Sequence, residues 1–197
     1  MTIRRFEHMV DIILERDISG RILDLGGGGE GVIGRIYGRA VTAIDIRPDE
    51  LEDAPGDFER ICMDARQLEL PDGCFDAVTA FYFLMYLFPE DRGAVFSEAA
   101  RVLKSGGRMY VWDAVYSSAF PEPHLVELNI DAAGEKISTA YGVLGEGMGL
   151  SRDDVLSRAS EAGLELADER LAGEHFYLVF RKEERHGRYH DSAAEEL

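Results

Sequence analysis

Cysteine is scarce in this chain: Cys62 and Cys74 are the only two. Two thiols cannot build a disulfide scaffold, and their spacing matches no zinc pattern, so the expectation is two reduced thiols and no metal site. Lysine is scarcer still for its charge class, with Lys104, Lys136 and Lys182 the only lysines among 21 Lys and Arg residues. No chemistry is assigned to that bias. Positive charge as a whole is short. The net charge of −17 is spread along the chain, which argues against a nucleic-acid partner held by phosphate neutralisation. No apolar run approaches the ~20 residues that cross a bilayer. Arg4, Arg5, Glu7 and Asp11 interrupt the stretch where a signal peptide would need an apolar centre. A cytoplasmic protein without a membrane partner is the expectation.

What is present is enough for a core. Hydrophobic residues make up 46% of 197, which suits one domain. That domain is expected over residues 1–182, with a hairpin insertion within 114–150. The polar stretch 183–197 is expected to be a disordered tail. His186 and His190 stand four apart in it, but no third ligand is evident.

The chain centres on Ile22-Leu-Asp-Leu-Gly-Gly-Gly-Gly-Glu-Gly31. Apolar residues around one acid read as a short buried strand, and the glycines end it and let the backbone bend close to a ligand. A helix over about 30–37 follows, which makes the segment a nucleotide-type site. Ahead of it, Phe6, Met9, Val10 and Ile13 share one helical stripe, so residues 4–17 are expected to form an amphipathic helix. Further strands are expected at 41–46, 58–63, 75–81 and 108–113. Helices are expected at 48–53 and from Pro89 to about Leu103.

This alternation predicts an α/β fold: a doubly wound, mostly parallel seven-stranded sheet with an antiparallel last strand. Residues 125–130 and 136–141 alternate apolar and polar around Asp131-Ala-Ala-Gly134 and read as an inserted hairpin, a lid or a homodimer contact. Ser151 caps a helix to about 162, and 164–171 with 175–181 form a last hairpin. Ligands of such sheets bind at the strands' carboxyl ends, where Asp24/Gly26, Asp45, Asp64 and Phe81 all fall.

Gly26-x-Gly28-x-x-Gly31 with Asp45 downstream also satisfies the dinucleotide fingerprint, so a nicotinamide-dependent oxidoreductase is one reading. Asp24 tilts against it, because a pyrophosphate would meet negative charge there and a cation would be favoured.

Asp24-Leu-Gly-Gly-Gly28, Ala43-Ile-Asp-Ile46, Met63-Asp-Ala65, Phe75-Asp-Ala-Val78 and Arg101-Val-Leu-Lys-Ser-Gly-Gly107 occur in order. Together they resemble the successive motifs of the class I S-adenosylmethionine (SAM)-dependent methyltransferases, in their small single-domain microbial form. The resemblance covers about 20–113 and implies SAM as cofactor, with S-adenosylhomocysteine (SAH) as its product. It implies that Asp24, Gly26, Gly27 and Gly28 meet the amino-acid end and Asp45 the ribose hydroxyls. Asp64 and Ala65 would meet the adenine, which Ile46 and Phe81 would flank. The family's third loop glycine aligns with Glu30, either a first-turn acid favoured by the helix dipole or a contact to the amino-acid end.

Asn-Pro-Pro-Tyr after the fourth strand, the catalytic-cysteine motif of cytosine-C5 enzymes and an added RNA-binding domain are all missing. A small-molecule acceptor is therefore expected, with Tyr82, Tyr86, Tyr116, His124 and Tyr141 as candidate substrate residues and no catalytic base assigned. Phe83, Met85 and Phe88 are further candidates for an apolar wall. A SAM- or SAH-binding protein without transferase activity is the third reading.

Overall fold

The structure is a computed structural model and describes residues 4–5, 10–117 and 120–183. The expected tail, with His186 and His190, lies outside the described residues apart from Glu183.

In chain order the first elements are β1 (Arg4–Arg5), β2 (Val10–Leu14), β3 (Ile22–Leu25), α1 (Val32–Tyr37), β4 (Val41–Asp45), α2 (Pro48–Asp53), β5 (Glu59–Cys62) and β6 (Phe75–Phe81). A 3-10 turn at Leu84–Tyr86 leads to α3 (Arg92–Val102) and β7 (Leu103–Ala114). Then come β8 (Tyr116–Ser117), β9 (His124–Ala132), β10 (Glu135–Val143), β11 (Gly149–Leu150), α4 (Arg152–Glu161), β12 (Leu164–Ala172) and β13 (His175–Lys182).

The main sheet has seven strands in the order β12-β13-β7-β6-β3-β4-β5. The β7-β6-β3-β4-β5 run is parallel, and β13 is antiparallel to both β7 and β12, as the sequence predicts. β3 and β4 are buried on both faces, which is why they read as near-continuous apolar runs. Ser151 caps α4 by accepting from the Asp154 N–H at 3.1 Å.

One expectation fails on the described residues. The helix expected over 4–17 is absent at Val10–Leu14. That segment is a strand, parallel to β9 with Val10 opposite Leu128 and Leu14 opposite Ala132. Val10, Ile12 and Leu14 alternate with the more exposed Asp11 and Ile13, so one stretch fits both periods, and the free edge of β9 selects the strand. The expected hairpin is present as the antiparallel pair β9 and β10, and β1 and β2 join it in a second sheet. It packs against α1, and an ion pair of 2.7 Å joins Arg35 to Glu135.

Some boundaries also move. The helix expected from Pro89 begins at Arg92, and β7 begins at Leu103, ahead of the expected Arg108. Lys104-Ser-Gly-Gly107 belongs to the strand, whose register with β6 shifts between Phe75 and Ala77.

Candidate functional site

β3, β4 and β6 end beside one another in the sheet, so the residues that follow each strand are brought to one edge. After β3 the chain turns through Gly26–Gly31 and reaches α1 with Gly31 in the left-handed region at the helix cap. The turn is pinned to its neighbours: the Gly27 N–H donates to the Ile44 carbonyl at 3.0 Å and the Gly29 N–H to the Glu50 carbonyl at 2.8 Å. Only glycine fits this close approach. A Cβ at Gly27 would stand 2.6 Å from Asp24 Oδ2, and one at Gly28 would stand 2.6 Å from Glu50 Cβ.

Asp24 is buried, and its Oδ1 accepts from Thr79 Oγ1 at 2.7 Å. Burial pushes its carboxyl up to about 7, against the opposing pull of that hydrogen bond. Thr79 is a polar residue in the middle of an apolar strand, and that was the readable signal for this partner. Asp45 ends β4. Its Oδ1 accepts from the Arg47 N–H at 2.9 Å, and its Oδ2 stands 3.1 Å from where a Gly28 Cβ would be. Ile46 beside it is exposed.

A cavity of about 510 Å³ lies over this edge, walled by Gly26–Gly29 on one side and Tyr82, Phe83, Tyr86 and Tyr141 on the other. A second cavity of about 210 Å³ adjoins it, shares Asp45, Ile46 and Phe83, and is lined also by Asp64 and Ala65. Four carboxylates, Asp24, Glu30, Asp45 and Glu50, wall the larger cavity against one guanidinium, Arg47. Arg47 is itself paired with Glu50 at 2.8 Å. The site thus favours a cation and disfavours a pyrophosphate.

Most of the sequence-derived residues meet here. Asp24, Gly26, Gly27, Gly28, Asp45, Ile46 and Phe81 line the larger cavity, with Tyr82, Tyr86 and Tyr141. Asp64 and Ala65 line only the smaller one. Both Asp64 oxygens are taken by Arg66, with Oδ2 receiving Arg66 Nη2 at 2.7 Å, and these hydrogen bonds hold its carboxyl below the usual range. Any adenine amino group must share that carboxylate with Arg66. Among the further wall candidates, Phe83 lines both cavities, Met85 is core and Phe88 is exposed.

Tyr116 and His124 are not brought to either cavity. They stack on each other at 4.4 Å, and the Tyr116 hydroxyl donates to the Met85 carbonyl at 2.8 Å. Burial pulls the His124 imidazole down to about 4, so it is neutral near pH 7 and a poor base.

Glu30 departs from one of its two readings. It precedes the α1 cap and so is not a first-turn acid. Thr139 Oγ1 donates to its Oε1 and the Tyr141 hydroxyl donates to its Oε2 at 3.2 Å, so it ties the glycine turn to β10. Tyr82 continues that wall. It stacks on Tyr141 at 5.5 Å, its hydroxyl hydrogen-bonds His175 Nδ1 at 2.7 Å, and its φ of +49° is rare for a tyrosine. Glu50 and His175 carried no sequence signal, because their place in the site depends on how α2 and β13 pack.

Residues 23–111 match the family described as "Methyltransferase domain". The chain is 37% identical over 104 residues to a phosphatidylethanolamine N-methyltransferase of Cereibacter sphaeroides, a match covering 47% of this chain and 50% of that protein. It is 36% identical over 105 residues to a ubiquinone/menaquinone biosynthesis C-methyltransferase of Desulfotalea psychrophila, covering 48% and 42%. The chain thus spans about half the length of the curated relatives it matches. A SAM-dependent methyltransferase of Methanosarcina mazei shares the fold with a TM-score of 0.58 and 19% identity, covering 87% of this chain and 95% of that one. Residues 23–111 thus match a methyltransferase domain, and the chain shares the fold of a solved SAM-dependent methyltransferase.

Proposed function

We propose that the protein transfers a methyl group from SAM to a small-molecule acceptor. One observation carries this reading: the glycine turn, Asp24 and Asp45 meet at one sheet edge in a cavity walled by carboxylates. That surrounding suits an adenosyl ligand bearing a sulfonium and an ammonium. When bound, SAM supplies an electrophilic methyl group for in-line displacement by the acceptor.

The chain's own residues bind and orient. Asp45 Oδ2 accepts from a ribose hydroxyl while Oδ1 stays on the Arg47 N–H, which fixes the carboxylate. Asp24 faces the amino-acid end across Gly27. Ile46 and Phe81 flank the adenine. Tyr82 and Tyr141 exclude water from the acceptor side, with the exposed Tyr86 beside them. Orientation of this kind supplies up to ~7–11 kcal/mol in favourable cases, so the reading requires no dedicated base. The matched relatives act, by their names, on phosphatidylethanolamine and in ubiquinone/menaquinone biosynthesis, which supports a small-molecule acceptor here.

Calorimetry with SAM, SAH and NADH tests the reading. SAM and SAH are expected to bind and NADH is not; NADH binding with no response to SAM or SAH overturns it in favour of an oxidoreductase. Asp45→Ala is expected to weaken SAH binding by ~1–3 kcal/mol through the lost charged hydrogen bond. Unchanged affinity removes Asp45 from the site. A screen of candidate acceptors with SAM separates transfer from binding alone.

A further inference from the structure

A third cavity lies on the other side of Tyr82. It measures about 240 Å³ and is lined by β2, α1, Trp112 of β7 and the adjoining ends of β12 and β13. Its apolar lining includes Val10, Leu14, Ile33, Ile36, Trp112 and Phe176. The volume exceeds the ~150 Å³ of an engineered apolar cavity that takes up benzene. Ile13 and Leu171, 72% and 61% exposed, also line it and give its mouth a hydrophobic lip.

Two features specify the occupant. Tyr82 and Ile33 line both this cavity and the 510 Å³ cavity, so the two cavities adjoin with those side chains standing between them. The polar lining is acidic: Asp11, Glu15 and Asp17 stand against Arg170, which lies over the Tyr177 ring at 5.5 Å. A carboxylate-headed chain meets repulsion at this rim, while a neutral or cationic one does not.

We infer that this cavity holds the hydrocarbon part of a neutral or cationic amphiphile, the acceptor whose polar end reaches Tyr82. The inference rests on the methyl-transfer reading for the word acceptor; the apolar site itself does not.

Trp112 is the one tryptophan of the chain and lines the cavity, so its fluorescence reports occupancy directly. The probes are 1-octanol, octylammonium and octanoate, which share a chain length and differ in head charge. Octanol and octylammonium are expected to change Trp112 emission saturably, with octanoate weaker by about tenfold or more. Val10→Phe, which fills the cavity, and Ala172→Phe, which narrows its exposed mouth, are each expected to abolish the response; the second does not depend on the core tolerating added volume. No saturable response, octanoate as tight as octanol, or a response surviving in both variants overturns the assignment. A blue shift that grows with protein concentration and without amphiphile gives this face to a second copy of the chain and also overturns it. SAH calorimetry on the same samples keeps the two readings apart. SAH binding with no octanol response sinks the cavity assignment alone. An octanol response without SAH binding sinks the cofactor reading and leaves the apolar site standing.

Discussion

Apparent affinity for SAH is expected to fall about tenfold for each pH unit below 7, and to be weak and nearly flat with pH in Asp24→Asn. Burial pushes the Asp24 carboxyl up to about 7, so below that pH the group carries a proton. A ligand ammonium facing it binds the ionised form, and removing the proton costs about 1.36 kcal/mol per pH unit. Calorimetry between pH 5.5 and 8.5 measures the slope. A pH-independent wild type would take Asp24 out of contact with the ligand.

The same group gives the free protein an opposite dependence. Unfolded, an aspartate titrates near 3.9, so between there and 7 the folded state binds more protons than the unfolded one. The stability that the neutral acid provides is full below the unfolded value and is lost as pH rises through the folded value. A shift of about three units sets an upper bound of roughly 4 kcal/mol on that loss. Asp113, buried at the end of β7 and also pushed up to about 7, acts with the same sign. Urea unfolding without ligand is therefore expected to show lower stability at pH 8 than at pH 5, with part of the difference removed in Asp24→Asn. Acidic pH thus stabilises the empty fold and weakens cofactor binding through one side chain.

The largest loss of stability is expected from Arg92→Leu. Its side chain is 2% exposed and pairs with Asp154 at 2.8 Å, while Nη2 donates to the Leu87 and Gly149 carbonyls. One guanidinium thereby joins α3 to α4, to the strand pair of β8 and β11, and to the segment behind the cavity wall. Its loss leaves the Leu87 and Gly149 carbonyls without that donor and Asp154 with Arg158 at 3.3 Å as its remaining ion pair, which places the cost toward the lower end of the ~3–5 kcal/mol of a broken buried pair. For a chain of this size each kcal/mol lowers the melting midpoint by about 2–4 °C, so a fall of roughly 10 °C is expected by calorimetry. Arg39→Ala removes an ion pair whose side chains are 86% and 77% exposed and is expected to leave the midpoint unchanged. Equal effects of the two substitutions would show that Arg92 is not the tie its contacts imply.

The sequence by itself determined the main sheet, because the information for it is local. Ile22–Leu25, Val41–Asp45 and Phe75–Phe81 are apolar runs of strand length closed by turn residues, and both faces of a parallel sheet demand such runs. The edge that carries the candidate site was legible for the same reason: Asp24, the glycines and Asp45 sit where β3 and β4 end. Tertiary structure alone decided the rest. Val10–Leu14 satisfies a helical and a strand period equally, and pairing with β9, far along the chain, chose between them. Pairing with Thr139 and Tyr141 of the same hairpin turned Glu30 from a helix-start acid into a tie. Packing sent Tyr116 and His124 toward each other and away from the cavity, and set Tyr82 between two cavities with His175 behind it. These outcomes depend on which surfaces meet, and no window of neighbouring residues contains that information.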